Sequence, residues 1–225
     1  MLLFAFIGQQ VSAQLLVKED LNYNTVTPNN KLLGNTNPWS NTVWTQNYTG
    51  ADQYLVTTSA LHYDGYPGGT NKTRIETTGQ TNIALPFSVV LSGSVYCSFL
   101  ITPTKGGTEI DPYYGTYFLG FATSATAGAS TWRSVIRIRE SDTGRGDSCK
   151  LAIGTMYGGT WMADSIAKNE THLVVLKQKI MSGTKNDSIF LAVDPVATTV
   201  EPTTWDVKVS NASLNASDIN PSTLI

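Results

Sequence analysis

Two carboxylates stand two positions apart at Glu109-Ile110-Asp111. On a β-strand that spacing puts both on one face, and a retaining glycosidase needs two carboxyl groups about 5–5.5 Å apart, one as nucleophile and one as acid. The continuation argues against this use. Pro112, Tyr113, Tyr114 and Gly115 follow, so no third carboxylate extends the alternation, and proline interrupts the strand that would align the pair. Glu109 and Asp111 are therefore read as part of a solvated loop. A glycoside hydrolase or polysaccharide lyase built around Glu109, Asp111 and the Tyr113–Tyr114 pair is the rival enzymatic reading.

Nucleophilic chemistry is no better supplied. Gly146-Asp147-Ser148 begins like a serine-nucleophile motif, but Cys149-Lys150 follows where two glycines belong. The two histidines, His62 and His172, both sit in strand-like contexts with apolar neighbours, which suits hydrogen-bonded structural rings better than general bases. Arg145-Gly146-Asp147 spells an integrin-binding tripeptide, a match short enough to arise by chance in a hairpin turn. Cys97 and Cys149 lie in strand-like segments. In an oxidising compartment they would bridge if their Cα atoms came within about 7 Å; otherwise each serves as a small apolar residue. The sequence leaves both readings open. No second Cys or His stands at ligand spacing from either, so no metal site is expected there.

Aromatic residues are the more promising functional set. Sugars bind through the flat faces of Trp and Tyr, with carboxylates, amides and backbone groups fixing the hydroxyls. Trp44, Tyr63, Tyr66, Tyr113, Tyr114 and Trp161 all lie in or beside segments rich in Asp, Asn and Gly, and Asp111 is the candidate carboxylate among them. The competing reading is that these rings fill the core or cover its ends. Six Asn-x-Ser/Thr triplets, at Asn47, Asn71, Asn169, Asn186, Asn211 and Asn215, mark loops rich in Asn and Thr.

The elements that must position these residues are strands. Leu173-Val174-Val175-Leu176 is an apolar, β-branched run too short for a helix, and it continues with alternating Lys177, Gln178, Lys179 and Ile180. Ser182 to Asp187 is loop chemistry, after which Ile189, Leu191 and Val193 recur at period two until Asp194-Pro195 ends the strand. The pattern predicts an interior antiparallel hairpin over 171–195. One of its faces must be covered, because each of these aliphatic side chains contributes about 1.5–3 kcal/mol only when buried. Further strands are expected at Thr42–Thr45, Tyr54–Thr57, Leu61–Tyr63, Thr73–Thr78, Phe87–Leu91, Gly93–Thr102 (a central strand, apolar on both faces), Tyr113–Phe121, Trp132–Arg139, Cys149–Gly154 paired with Met156–Trp161, and Trp205–Val209. About a dozen strands without helical periodicity point to an all-β antiparallel sandwich of jelly-roll type.

These strands carry a resemblance. His172-Leu173-Val174-Val175-Leu176 followed by Ile189-Phe190-Leu191-Ala192-Val193-Asp194 resembles the paired strands of laminin-G-like, concanavalin-A-like jelly rolls. Leu15 to Tyr23, Leu61 to Gly68 and Ser92 to Phe99 extend the likeness to secreted jelly-roll domains of large bacterial surface proteins, over about Leu15 to Ile225. It implies the fold and secretion; together with an N-terminal export signal and the absence of a complete catalytic constellation, it leads to the expectation of a secreted or cell-surface, non-catalytic module binding a glycan or another surface ligand, or a structural spacer of an adhesin, with further domains in the same polypeptide. It also implies calcium as a candidate ion for Asp64, Asp111 and Asp194, although no D-x-[DN]-x-[DN]-G run is present. One or two further strands would follow in such domains. The chain reaches Ser222-Thr223-Leu224-Ile225 as an apolar segment begins, so a C-terminal truncation with an unpaired sheet edge is expected.

Bulk properties bound the partners. A net charge of −2 over 225 residues, with 14% charged side chains, offers no basic field for nucleic acid, and no apolar run reaches the roughly 20 residues of a membrane span. Leu2 to Ile7 with Val11-Ser12-Ala13 reads as a signal-peptide remnant over residues 1–13, leaving 14–225 as a single sandwich domain.

Overall fold

Alternation in the chain becomes two packed sheets. The computed structural model describes residues 43–48, 55–58, 60–66, 71–74, 82–104, 115–126, 131–141, 146–198 and 200–225; the expectations for residues 1–13, Leu15–Tyr23, Glu109, Asp111, Tyr113 and Tyr114 lie outside them. The larger sheet runs β1 (Thr45–Tyr48), β4 (Asn82–Pro86), β14 (Thr223–Leu224), β6 (Thr116–Ala122), β7 (Arg133–Glu140) and β8 (Ser148–Thr155). Along the other edge of β8 pair β9 (Gly158–Trp161) and β10 (Ile166–Ala167). The smaller sheet runs β13 (Val207–Ser210), β12 (Ser188–Val193), β11 (His172–Ile180) and β5 (Gly93–Ile101), and β2 (Leu55–Thr58) with β3 (Asn71–Arg74) makes a separate ribbon. All pairings are antiparallel. The all-β sandwich read from the pattern is the fold observed.

The inner faces follow the period of two. Val95, Val174, Leu176, Ile189, Leu191, Val207 and Val209 of the smaller sheet meet Phe121, Ile136, Cys149, Leu151 and Ile153 of the larger one in a single buried core. The 171–195 hairpin is interior as expected, with β11 between β12 and β5. A polar bridge crosses this core. Ser134, held at φ 52° where a bulge re-aims β7, donates to Gln178 Oε1 at 2.9 Å, and Gln178 Nε2 donates to Asp187 Oδ2 at 2.9 Å. Asp187 Oδ1 accepts from the Met181 amide at 2.9 Å, so the fully buried carboxylate also ties down the hairpin loop.

Four expectations are corrected. Gly93–Ile101 has the expected inward set, but among the described residues it pairs on one side only, with β11, and so stands at the sheet's edge and not at its centre. Its outward Tyr96 is 41% exposed, and it reads as apolar on both faces because that ring stands on the sheet's outer surface. The strand expected at Phe87–Leu91 lies upstream at Asn82–Pro86, since Pro86 ends it and the Phe87 and Val90 amides turn to the Ser222 and Pro221 carbonyls. Leu61–Tyr63 is no strand; Tyr63 and Tyr66 instead close a tight turn over Asp64-Gly65, with Gly65 at φ 76°. The apolar segment at Ser222–Ile225 is not at an unpaired edge. Thr223 and Leu224 pair with Pro86 and Leu85 on one side and with Ala122 and Phe121 on the other.

Candidate functional site

If Val95, Cys97, Val174, Leu176, Ile189 and Val209 face the core, strand alternation sends Tyr96, Lys177, Phe190 and Lys208 to the opposite face. Register then aligns them. Tyr96 stands opposite Lys177, Lys177 opposite Phe190, and Phe190 opposite Lys208, so one row across all four strands alternates ring and cation. The Lys177 ammonium lies 5.4 Å from the Tyr96 ring centre, 5.1 Å from Phe190 and 5.9 Å from Trp205, within the range of cation–π attraction. Lys208 sits 5.3 Å over the Phe190 ring, and Trp205 leans on Phe190 at 5.3 Å between centroids.

A carboxylate completes the cluster. Glu201, from the segment joining β12 to β13, accepts from Lys177 Nζ on Oε1 at 2.5 Å and from the Tyr96 hydroxyl on Oε2 at 2.6 Å. Its pKa is lowered: partial burial pushes upward, but the bonds from Lys177 and Tyr96 and the charges of Lys177 and Lys179 outweigh it. Lys177 is raised, since the same bonds overcome its desolvation. Tyr96 is raised by burial and by donating to Glu201. The pair is thus held ionised at neutral pH.

The sequence-derived aromatic set divides. Tyr63 and Tyr66 do come together, at the end of this same sheet: Tyr66 donates to the Ser98 carbonyl at 3.0 Å and meets its Oγ at 3.0 Å, while Tyr63 donates to the Pro195 carbonyl at 3.3 Å. With His62, Asp64, Gly65, Val196 and Ala197, Tyr63 lines a shallow open depression. Trp161 is on the larger sheet, its ring 4.4 Å from the Arg139 guanidinium. Trp44 is buried at 7% exposure, as a core ring. Tyr113, Tyr114 and Asp111 lie outside the described residues. Tyr96, Lys177, Phe190, Trp205 and Glu201 were not singled out from sequence. The available signal was an aromatic at a solvent-facing position of a strand, twice, in β5 and β12.

Residues with catalytic chemistry hold the fold together. His172 Nδ1 meets Asp194 Oδ2 at 2.7 Å and its Nε2 meets the Ala167 carbonyl at 2.8 Å, while Asp194 Oδ1 accepts from the Leu173 amide at 3.0 Å. This clamp closes the base of the β11–β12 hairpin, with Asp194 at φ 51°. His62 and Asp64 form an exposed pair at 3.2 Å. Lys168 Nζ bonds both oxygens of Glu140 at 2.5 Å, a largely sequestered structural pair. Cys97 and Cys149 are free thiols in opposite sheets, so the unbridged reading is the one adopted, and burial pushes each up to about 12. Asp64 and Asp194 are each engaged with a histidine, and among the described residues no group of three or more His, Cys, Asp or Glu side chains is placed to hold a metal ion. No helix among the described residues is long and apolar enough to cross a membrane. No family model, curated protein or solved structure matches the chain, and nothing in those comparisons identifies a laminin-G-like domain.

Proposed function

We propose that the chain is a non-catalytic binding module of a secreted or cell-surface protein and that its ligand is a glycan held on the outer face of the four-stranded sheet. The row Tyr96–Lys177–Phe190–Lys208, with Trp205 leaning on it and Tyr66 at its side, carries this reading. Ring faces offer sugars an apolar platform, and the lysines and neighbouring serines offer hydrogen bonds to hydroxyls. The row lies on a β-sheet, which holds such groups with less entropy to lose on binding than a loop would. The resemblance to secreted jelly-roll domains points the same way. The test is a glycan array probed with the full chain and with Trp205→Ala. Binding to a defined glycan set, lost in the variant, is the expected result; a blank array, or binding indifferent to Trp205, would sink the proposal.

A further inference from the structure

The geometry points to Tyr96 and Lys177 as a carboxylate-binding subsite for an acidic, uronate-type sugar, which the chain's own Glu201 fills in the unliganded protein. The inference rests on the glycan reading above and deepens it. Two different donors engage the two oxygens of a single carboxylate, at 2.6 and 2.5 Å, with aromatic rings on the flanks. A uronic acid presents the same group attached to a ring with an apolar face, so it reproduces both halves of the contact.

Glu201 is built as a removable occupant. Its side chain is 41% exposed, whereas that of Lys177 is 11% exposed, so the receptor is fixed in the sheet and the carboxylate comes from above. Its segment has anchors independent of Glu201: the Val193 amide donates to Asp206 at 2.7 Å, and Tyr63 holds the Pro195 carbonyl. Charge complementarity selects the occupant. Lys179 lies close enough to lower the pKa of Glu201, Lys208 continues the row, and neither makes an ion pair among the described residues. With Glu201 displaced, three lysines face outward from one sheet of a chain whose net charge is −2.

An internal competitor lowers apparent affinity by the fraction of time it occupies the site. Removing its charge must therefore tighten binding, whereas a carboxylate that merely supported the face would weaken binding when removed. The experiment is calorimetric titration of wild type, Glu201→Gln, Tyr96→Phe and Lys177→Met with tetragalacturonate, maltotetraose and a short oligothymidylate, with a thermal melt of each protein. Expected are preference of wild type for tetragalacturonate, about fivefold or greater tightening in Glu201→Gln, and a similar loss in Tyr96→Phe and Lys177→Met. Tyr96→Phe deletes only a hydroxyl and keeps the test decisive if Lys177→Met fails to fold. Glu201→Gln binding no more tightly than wild type, an equal gain for maltotetraose, or a preference for the oligonucleotide would each overturn the inference. Neutral sugar binding without carboxylate dependence would remove this inference and leave the glycan reading standing; no sugar binding by any of the proteins, with a blank array, would remove both.

Discussion

Replacing Gln178 by Leu removes the polar bridge between the sheets without opening a large cavity. Gln178 has no exposed surface, and its amide is shared between Ser134 on β7 and Asp187 at the end of the hairpin loop. Leucine would strand the Ser134 hydroxyl and one Asp187 oxygen. Each stranded buried group costs about 1–3 kcal/mol, so the variant should lose about 2–6 kcal/mol at neutral pH, a large share of the roughly 5–15 kcal/mol typical of a domain. The loss should depend on pH. Burial already holds the Asp187 pKa above its ordinary 3.8, partly offset by bonds from the Met181 amide and Gln178. Without Gln178 the folded pKa rises further. A raised acid pKa means that the folded state binds more protons than the unfolded chain, so stability falls as pH climbs through that window. Below 3.8 the carboxyl is protonated in both states and this penalty vanishes. Urea unfolding at several pH values between 3.5 and 7.5 reads both quantities. A deficit under about 1 kcal/mol at pH 7.5, or one that shrinks as pH rises, would refute the reasoning.

Two further outcomes follow from close contacts and burial. A Cβ on Gly154 would meet the Gly158 carbonyl oxygen at 2.2 Å and Gly159 Cα at 2.5 Å, whereas one on Gly158 meets nothing within 4 Å; Gly154→Ala should cost about 1–3 kcal/mol or more and Gly158→Ala far less, compared by urea midpoints. With the thiols of half-buried Cys97 and buried Cys149 both pushed up to about 12, they should resist an aromatic disulfide reagent at pH 8 in the folded protein and both react in urea, and rapid labelling of the native state would contradict the desolvation that raises them.

Strands with aliphatic residues at period two were legible because burial selects those residues and nothing else explains the spacing. The hairpin of β11 and β12 is the strongest case, and the β7 alternation of Ile136 and Ile138 against Arg137 is another. Phe87–Leu91 misled because only Phe87 and Val90 pack on the core while Val89 and Leu91 are exposed, and the Phe87 and Val90 amides bond to Ser222 and Pro221, partners far away in sequence. The candidate site was less legible for a related reason. Tyr63 and Tyr66 stood out through their turn residues, but Tyr96 and Phe190 looked like ordinary strand aromatics. Only cross-strand register, which no single segment encodes, lines them up with Lys177 and Lys208.

Strand β14 makes the order of assembly matter. β4 and β6 are separated by a slot that Thr223 and Leu224 fill, and Gly120 exchanges amide bonds with Ile225 at 2.8 and 2.9 Å on the same seam. As the chain emerges from the ribosome, residues 82–122 present two strand edges whose shared partner is still about a hundred positions away. Such distant pairing is slow to find, because loop closure precedes any reward from contact. Among the described strands of the larger sheet, the last to be made therefore enters at its middle. During synthesis the hydrogen-bonding seam between β4 and β6 is the stretch most in need of protection from other chains.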